Sequence, residues 1–262
     1  MSYYSGITGR KSPPFASDVK IENVDFVYQP VICKRTKEIL YHEQLSRFRS
    51  TMGRLRHTQT IIAWFEVTGE ILELDIRSFE AAISALTEHE NFNIGVNISG
   101  ATLSNKAACD KIVQLLMDAP DICPRLYVEV TETHSISNML FAAEFAAALD
   151  GMGVQMVVDD FGEGNSTALY LSVLIPAVVK LRMTSGKIPD AELLEKAVLA
   201  RTYGAALVVE GVESAEDILA FPKALVDFYQ GYFYGEPAPL EHWQKQARRP
   251  ELRLVGNSDE VK

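Results

Sequence analysis

Eight short β-rich runs, most of them followed by a polar turn and an amphipathic helical stretch, constrain this chain more than any other feature. The runs are Phe26–Ile32, Leu40–Phe48, Phe92–Ser99, Leu126–Glu132, Val154–Phe161, Ala177–Met183, Ala206–Val212 and Phe228–Tyr234. Helical patterns lie between them at Ile71–Leu86, Ser104–Met117, Ser137–Leu149, Thr167–Leu174, Ala191–Tyr203 and Ala215–Leu225, with a last one near Leu240–Ala247. Such alternation builds βα units, and strands this apolar suit a parallel sheet buried on both faces. Only Cys33 to Ile39 separates the first two runs. That link is too short for a helical crossover, so these two strands should pair antiparallel. The expected fold is α/β, a modified (β/α)8-like barrel whose first strand runs against the rest.

The 262 residues suit one such barrel, because barrels of about 250 residues routinely form a single unit. With 47% apolar and 23% charged residues the chain reads as one large core. The barrel is expected over residues 21–248, with polar tails at 1–20 and 249–262. The N-terminal stretch is too short for an input domain and lacks the pattern of a secretory signal. No apolar stretch reaches the roughly 18–20 residues that cross a bilayer, so the expected location is the cytoplasm. Cys33, Cys109 and Cys123 are odd in number and lack metal-ligand spacing, which favours reduced thiols. A formal charge of −10 works against binding duplex nucleic acid, but leaves a small, metal-masked anion as a substrate.

Active sites of parallel barrels lie at the carboxyl ends of the strands. Here those ends carry Glu43, Asn97, Glu129 and Glu132, Asp159 and Asp160, Lys180, Glu210 and Gln230. A lone strand-end acid is usually a cap or a solvated charge, and Asp159–Asp160 before a glycine-rich loop also reads as a turn. Lys180 inside an apolar strand is harder to dismiss, since a buried lysine needs a counter-charge. Several carboxylates at one mouth repel each other unless a cation compensates, and all-oxygen donors favour Mg²⁺, Mn²⁺ or Ca²⁺ over zinc. Two adjacent aspartates can reach two ions, which points to a two-metal site for phosphoester cleavage.

The motifs Tyr28-Gln29-Pro30, Glu43-Gln44-Leu45, Asn97-Ile98-Ser99, Glu129-Val130-Thr131-Glu132, Asp159-Asp160-Phe161-Gly162-Glu163-Gly164, Val209-Glu210-Gly211-Val212-Glu213 and Gln230-Gly231-Tyr232 occur in that order. In order and spacing they resemble the EAL family of cyclic di-GMP phosphodiesterases over about Asp25 to Pro239, with the signature reading Glu-Gln-Leu. The resemblance implies a TIM-like barrel that hydrolyses cyclic di-GMP to linear pGpG with Mg²⁺ or Mn²⁺. By the same resemblance Glu43, Asn97, Glu129, Asp159 and Asp160 hold metal. Lys180 orients the attacking water, Glu210 is a general-base candidate and Glu132 braces the loop after the fifth strand. Arg47 and Gln29 hold the dinucleotide's phosphates and guanine, and Gln230, placed with them at the substrate, contacts the water or metal shell. A homodimer through the helices flanking the Asp159–Asp160 loop is also implied.

Two features depart from the family. Lys180-Leu181-Arg182 stands where members usually carry Lys-x-Asp, and Arg182 should share the mouth-facing side of its strand with Lys180. A cation there is expected to weaken metal binding and catalysis. The segment Arg47 to Arg56 lacks the family's Trp and Pro-containing turn and reads as a solvated basic loop; the alternative is a protein-partner surface or an entry path for an anion. The competing functional class is therefore a weak or inactive EAL domain that acts as a cyclic di-GMP receptor or a protein-binding regulator.

Overall fold

The structure, a computed structural model, describes residues 18–131, 134–163 and 168–247. Eight strands close into a barrel in chain order: β1 (Val19–Cys33), β2 (Ile39–Ser50), β3 (Ile94–Ser99), β4 (Leu126–Thr131), β5 (Gln155–Val158), β6 (Val178–Arg182), β7 (Ala206–Glu210) and β8 (Phe228–Tyr229). As the short first link requires, β1 runs antiparallel to β2. It is antiparallel to β8 as well, where it closes the ring, and every other neighbouring pair is parallel.

The outer layer is made of α1 (Thr58–Thr68), α2 (Ile71–Glu88), the one-turn α3 (Gly100–Leu103), α4 (Lys106–Met117), α5 (Met139–Gly151), α6 (Ala168–Leu174), α7 (Ala191–Thr202), α8 (Ala215–Ala220) and α9 (Leu240–Ala247). Outward-facing strand residues such as Val96, Val128, Val158, Val179 and Val209 pack with helix residues Phe79, Ile112, Phe145 and Ala197 into the main core. Inside the barrel, Val31, Tyr41, Val157, Val178 and Val208 form a separate apolar plug. One step of two residues toward the carboxyl ends of β2 to β8, and toward the amino end of the antiparallel β1, the inward positions turn polar, as Gln29, Glu43, Glu129, Asp159, Lys180, Glu210 and Gln230. The plug is therefore the floor on which the polar layer stands.

Several boundaries differ from the sequence expectation. β1 starts at Val19, inside the stretch read as a tail, because Val19, Ile21 and Val24 are buried with Phe48, Ile61, Phe65, Ile71 and Leu74 in a side core beside the barrel. Helix α1 completes that side core and has no counterpart in the sequence reading. Its Thr58, Thr60, Ile61, Ile62, Trp64, Phe65 and Val67 are residues that favour strands, so packing rather than propensity makes the helix. The segment Arg47–Arg56 is not simply a solvated loop: β2 continues to Ser50, Arg49 pairs with Asp25 at 2.7 Å and Arg56 pairs with Asp18. β5 and β8 are shorter than expected, β5 because the backbone turns at Asp160, whose φ is 46°. Helix α8 stops at Ala220, before extended Phe221, the residue preceding Pro222.

Candidate active site

Lys180 stands at the centre of the polar layer, fully buried. Its Nζ lies 2.7 Å from Glu129 Oε2, 2.7 Å from Glu210 Oε1, 3.0 Å from Glu43 Oε2 and 3.0 Å from Asp159 Oδ1. Strand register explains the convergence. Asn97 pairs with Glu129 across β3 and β4, and Glu43 pairs with Gly95 across β2 and β3. Gly95 has a reason to be glycine, since a Cβ there would collide with the Glu129 carboxylate and the Tyr41 ring. The missing side chain makes the space into which Glu129 folds.

A ring of amides orients the acids. Asn97 Nδ2 donates to Glu43 Oε1 at 3.0 Å, and Gln230 Nε2 donates to Glu43 Oε2 at 2.7 Å and to Gln29 Oε1 at 3.3 Å. Gln29 in turn donates to the Gly235 carbonyl at 3.0 Å. Asn97 and Gln230 thus spend their amide N–H groups on neighbours. Asn97 Oδ1, Gln230 Oε1 and Glu129 Oε1 are buried acceptors without a hydrogen-bond partner among the described residues. Unpaired buried acceptors are costly, and a hard cation satisfies them.

Two groups of carboxylates have the spacing to hold such an ion: Glu43, Glu129 and Asp159, and Asp159, Asp160 and Glu210, each with oxygens within 4.8 Å of one another. The second group carries a protein cation of its own. Arg182 Nε and Nη2 donate to Asp160 Oδ1 and Oδ2 at 2.7 and 3.0 Å, and Nη2 lies 3.4 Å from Glu210 Oε2. Arg47 stands four residues beyond Glu43 on β2, half-buried, donating to the Ser46 carbonyl at 2.9 Å and touching none of the acids among the described residues. The remaining sequence candidate, Glu132, lies outside the described residues.

Two bracing acids escaped the sequence reading. Asp75 of α2 accepts from the Ser99 backbone at 2.9 Å and from Thr102 Oγ1 at 2.5 Å, fixing the end of β3 two residues past Asn97. Burial pushes its carboxyl up to about 7. Asp217 accepts from Ser185, Gly186, Glu213 and Ser214, tying the loop after β6 to the loop after β7, and these donors hold its carboxyl well below the usual range. Its signal was present as Ser214-Ala215-Glu216-Asp217 ahead of α8, a capping box.

Four carboxylates face one ammonium, so the cluster retains protons. Burial, reinforced by neighbouring negative charge and only partly offset by Lys180, raises Asp159 to about 6, Glu210 to about 8 and Glu129 well above the usual carboxylate value. At Glu43 burial is outweighed by the Lys180 charge and the Asn97 and Gln230 hydrogen bonds, and the net shift is downward. In an unfolded chain these acids titrate near pH 4. Between there and about pH 8 the folded state binds more protons than the unfolded state, so stability falls as pH rises through that window. Lys180 is shifted upward and keeps its charge throughout it. The metal-free protein should therefore melt several degrees lower at pH 8 than at pH 5, at about 2–4 °C per kcal/mol for a domain of this size. A divalent ion that replaces the protons should restore the loss at pH 8. Thermal melts at both pH values, with and without metal, check this; a pH-independent, metal-independent midpoint would count against the cluster as described.

Fold and site define a closed eight-stranded α/β barrel with a carboxylate-lined mouth. The chain belongs to the EAL domain family, whose model matches residues 16–237. It is 28% identical over 86% of its length to the signaling protein YkoW of Bacillus subtilis, and 26% identical over 84% to the cyclic di-GMP phosphodiesterase NbdA of Pseudomonas aeruginosa. It spans 30% and 29% of the length of those two relatives. Among solved structures it resembles an EAL domain protein from Listeria monocytogenes (TM-score 0.77, 20% identity, 92% of this chain and 99% of that one). It also resembles the PaMucR phosphodiesterase in complex with c-di-GMP (0.73, 24%, 84% and 99%) and Bacillus subtilis YkuI in complex with c-di-GMP and calcium (0.68, 20%, 84% and 56%). At these identities the structural likeness speaks to the fold. No helix among the described residues is long and apolar enough to cross a membrane.

Proposed function

We propose that this domain is a metal-dependent phosphodiesterase that opens cyclic di-GMP to linear pGpG. The observation that carries the reading is the set of unpartnered buried oxygens of Asn97, Glu129 and Gln230 beside four carboxylates on one lysine. Membership of the EAL family and the names of its relatives supply the substrate class. Glu43, Asn97, Glu129 and Asp159 would hold the ion. Mg²⁺ or Mn²⁺ fits an all-oxygen donor set. When bound, the ion acidifies water and stabilises the charge that develops on the phosphate.

The chain's own residues do the rest. Lys180 offsets the acids and holds their carboxylates in one arrangement before substrate arrives, so little reorganisation is left for the reaction. Glu210, held between Lys180 and Arg182, has its proton affinity raised by burial, which suits a general-base candidate. Gln29 and Gln230 fix the orientation of Glu43, and Arg47 at the rim offers a guanidinium to a phosphate or a guanine. A cytoplasmic setting suits the free thiols of Cys33, Cys109 and Cys123. A homodimer would cover the exposed Leu169 and Ile175, in and just after the helix that follows the Asp159–Asp160 turn in sequence. A receptor that does no chemistry has less need for this cluster, because it would carry buried, unpaired acceptors with no compensating use.

Incubation of cyclic di-GMP with the protein and Mg²⁺ or Mn²⁺ should yield linear dinucleotide. Chelation should abolish the product, and calcium, a poorer Lewis acid with looser geometry, should inhibit. Undiminished hydrolysis after thorough chelation would sink the metal-dependent reading, and absence of hydrolysis under every metal tried would favour the receptor.

A further inference from the structure

The second carboxylate group already holds a cation. Arg182 follows Lys180 by two residues on β6, at the register position opposite Glu210 of β7, so its side chain comes up on the same inner face one step nearer the mouth. Its guanidinium grips Asp160 through two parallel hydrogen bonds and reaches buried Glu210 on the other side. It therefore bridges two of the three acids, Asp159, Asp160 and Glu210, that have the spacing of a metal site. An ordinary half-exposed ion pair meets one partner on the surface. This one is two-pronged, spans the gap between two ligand candidates and has an acid with a buried carboxylate as its second partner.

The backbone agrees. Asp160 adopts φ 46°, a left-handed conformation that side chains rarely take, and the turn that follows is held by Lys196 Nζ donating to the Gly162 carbonyl at 2.9 Å. The turn thus sets the Asp160 carboxylate over the end of β6, against Arg182. A divalent ion between Asp159, Asp160 and Glu210 would have to displace the guanidinium or sit against its charge. The first group also meets a cation, since Lys180 touches Glu43, Glu129 and Asp159. Beside it, however, stand amide oxygens of Asn97 and Gln230 and one oxygen of Glu129 that have no hydrogen-bond partner among the described residues, whereas Glu210 Oε2, likewise without a hydrogen bond, already faces Arg182.

We propose that the guanidinium of Arg182 takes the place of a second metal ion, so that the site takes up one divalent cation, at Glu43, Asn97, Glu129 and Asp159. This rests on the metal-dependent reading above and narrows it from the two ions suggested by the paired aspartates. The guanidinium supplies fixed positive charge where the second ion would stand, and its Nη1 has no partner among the described residues, leaving two N–H groups for an anion at the mouth.

The test is a Mn²⁺ titration of the full chain, read from the electron paramagnetic resonance of the free ion, on the natural protein and on Arg182→Asp. One ion per chain is expected for the natural protein and two for the variant, with a second natural site weaker by at least about a hundredfold because of the facing charge. Two comparable sites in the natural protein overturn the proposal. A variant that is folded by its melting curve yet still binds a single ion overturns it as well, because Arg182 then stands in for nothing. If neither protein binds Mn²⁺, the metal-dependent reading fails and takes this inference with it. Should the variant not fold, anomalous scattering from Mn²⁺-soaked crystals of the natural protein decides: one peak beside Glu43 and Asn97 supports the proposal, and a second between Asp160 and Glu210 overturns it.

Discussion

Lys180→Met should leave a protein that melts far below the natural one at pH 8 in the absence of metal and turns over cyclic di-GMP on the order of 10²–10³-fold more slowly. Methionine nearly preserves the side-chain volume, so the change tests charge rather than packing. Removing the shared partner of a buried ion-pair cluster costs about 3–5 kcal/mol, against a total stability of about 5–15 kcal/mol for a typical domain. Here four carboxylates lose the same ammonium at once. The cluster has two ways to recover: protonation, which returns stability as pH falls toward 5, and a divalent ion in place of the ammonium. Rescue of the melting temperature by low pH and by Mn²⁺, without rescue of turnover, would separate the electrostatic role of Lys180 from its part in the reaction. A variant with natural stability at pH 8 and natural turnover would show that the acids do not depend on this lysine.

The barrel was legible because its strands alternate with helices and because a link of seven residues, Cys33 to Ile39, cannot cross over. The candidate site was legible as a list of strand-end acids, and the resemblance supplied roles for them. What the sequence could not display was the mode of neutralisation. That four of the acids share Lys180, with 2.7–3.0 Å separations, depends on the register of five different strands. Arg182 was visible as a departure, but its two-pronged hold on Asp160 needs the left-handed turn at that residue. Helix α1 was invisible for another reason: Ile61 and Phe65 are helical only because they fill the side core against Phe48 and Val24. Local preference pointed to a strand and long-range packing overruled it. Asp75 was hidden in an unremarkable helix pattern, and only its partners on β3 and α3 reveal the brace.

Glu43→Gln should cost metal binding and activity far more than stability. The carboxylate accepts from Lys180, Asn97 and Gln230, and glutamine keeps its size while removing one negative charge from a site that has too many. The Glu43 carboxyl is held below its ordinary value, so its charge stabilises the folded state near neutral pH and losing it should lower the metal-free midpoint, by no more than a few degrees because repulsion among Glu129, Asp159 and Glu210 weakens at the same time. Metal affinity should fall by more than the roughly 10–100-fold that loss of an outer-sphere partner causes, since an ionised ligand has been removed. Turnover should drop below detection at metal concentrations that saturate the natural protein. A residue whose only task is structural gives the reverse pattern, with stability lost and metal affinity kept. The measurement is therefore a pair of titrations, thermal midpoint and Mn²⁺ binding, on one sample of folded variant. If both stay at natural values while cyclic di-GMP is still hydrolysed, Glu43 is no ligand, and the ion must be held by Glu129, Asp159 and their neighbours alone.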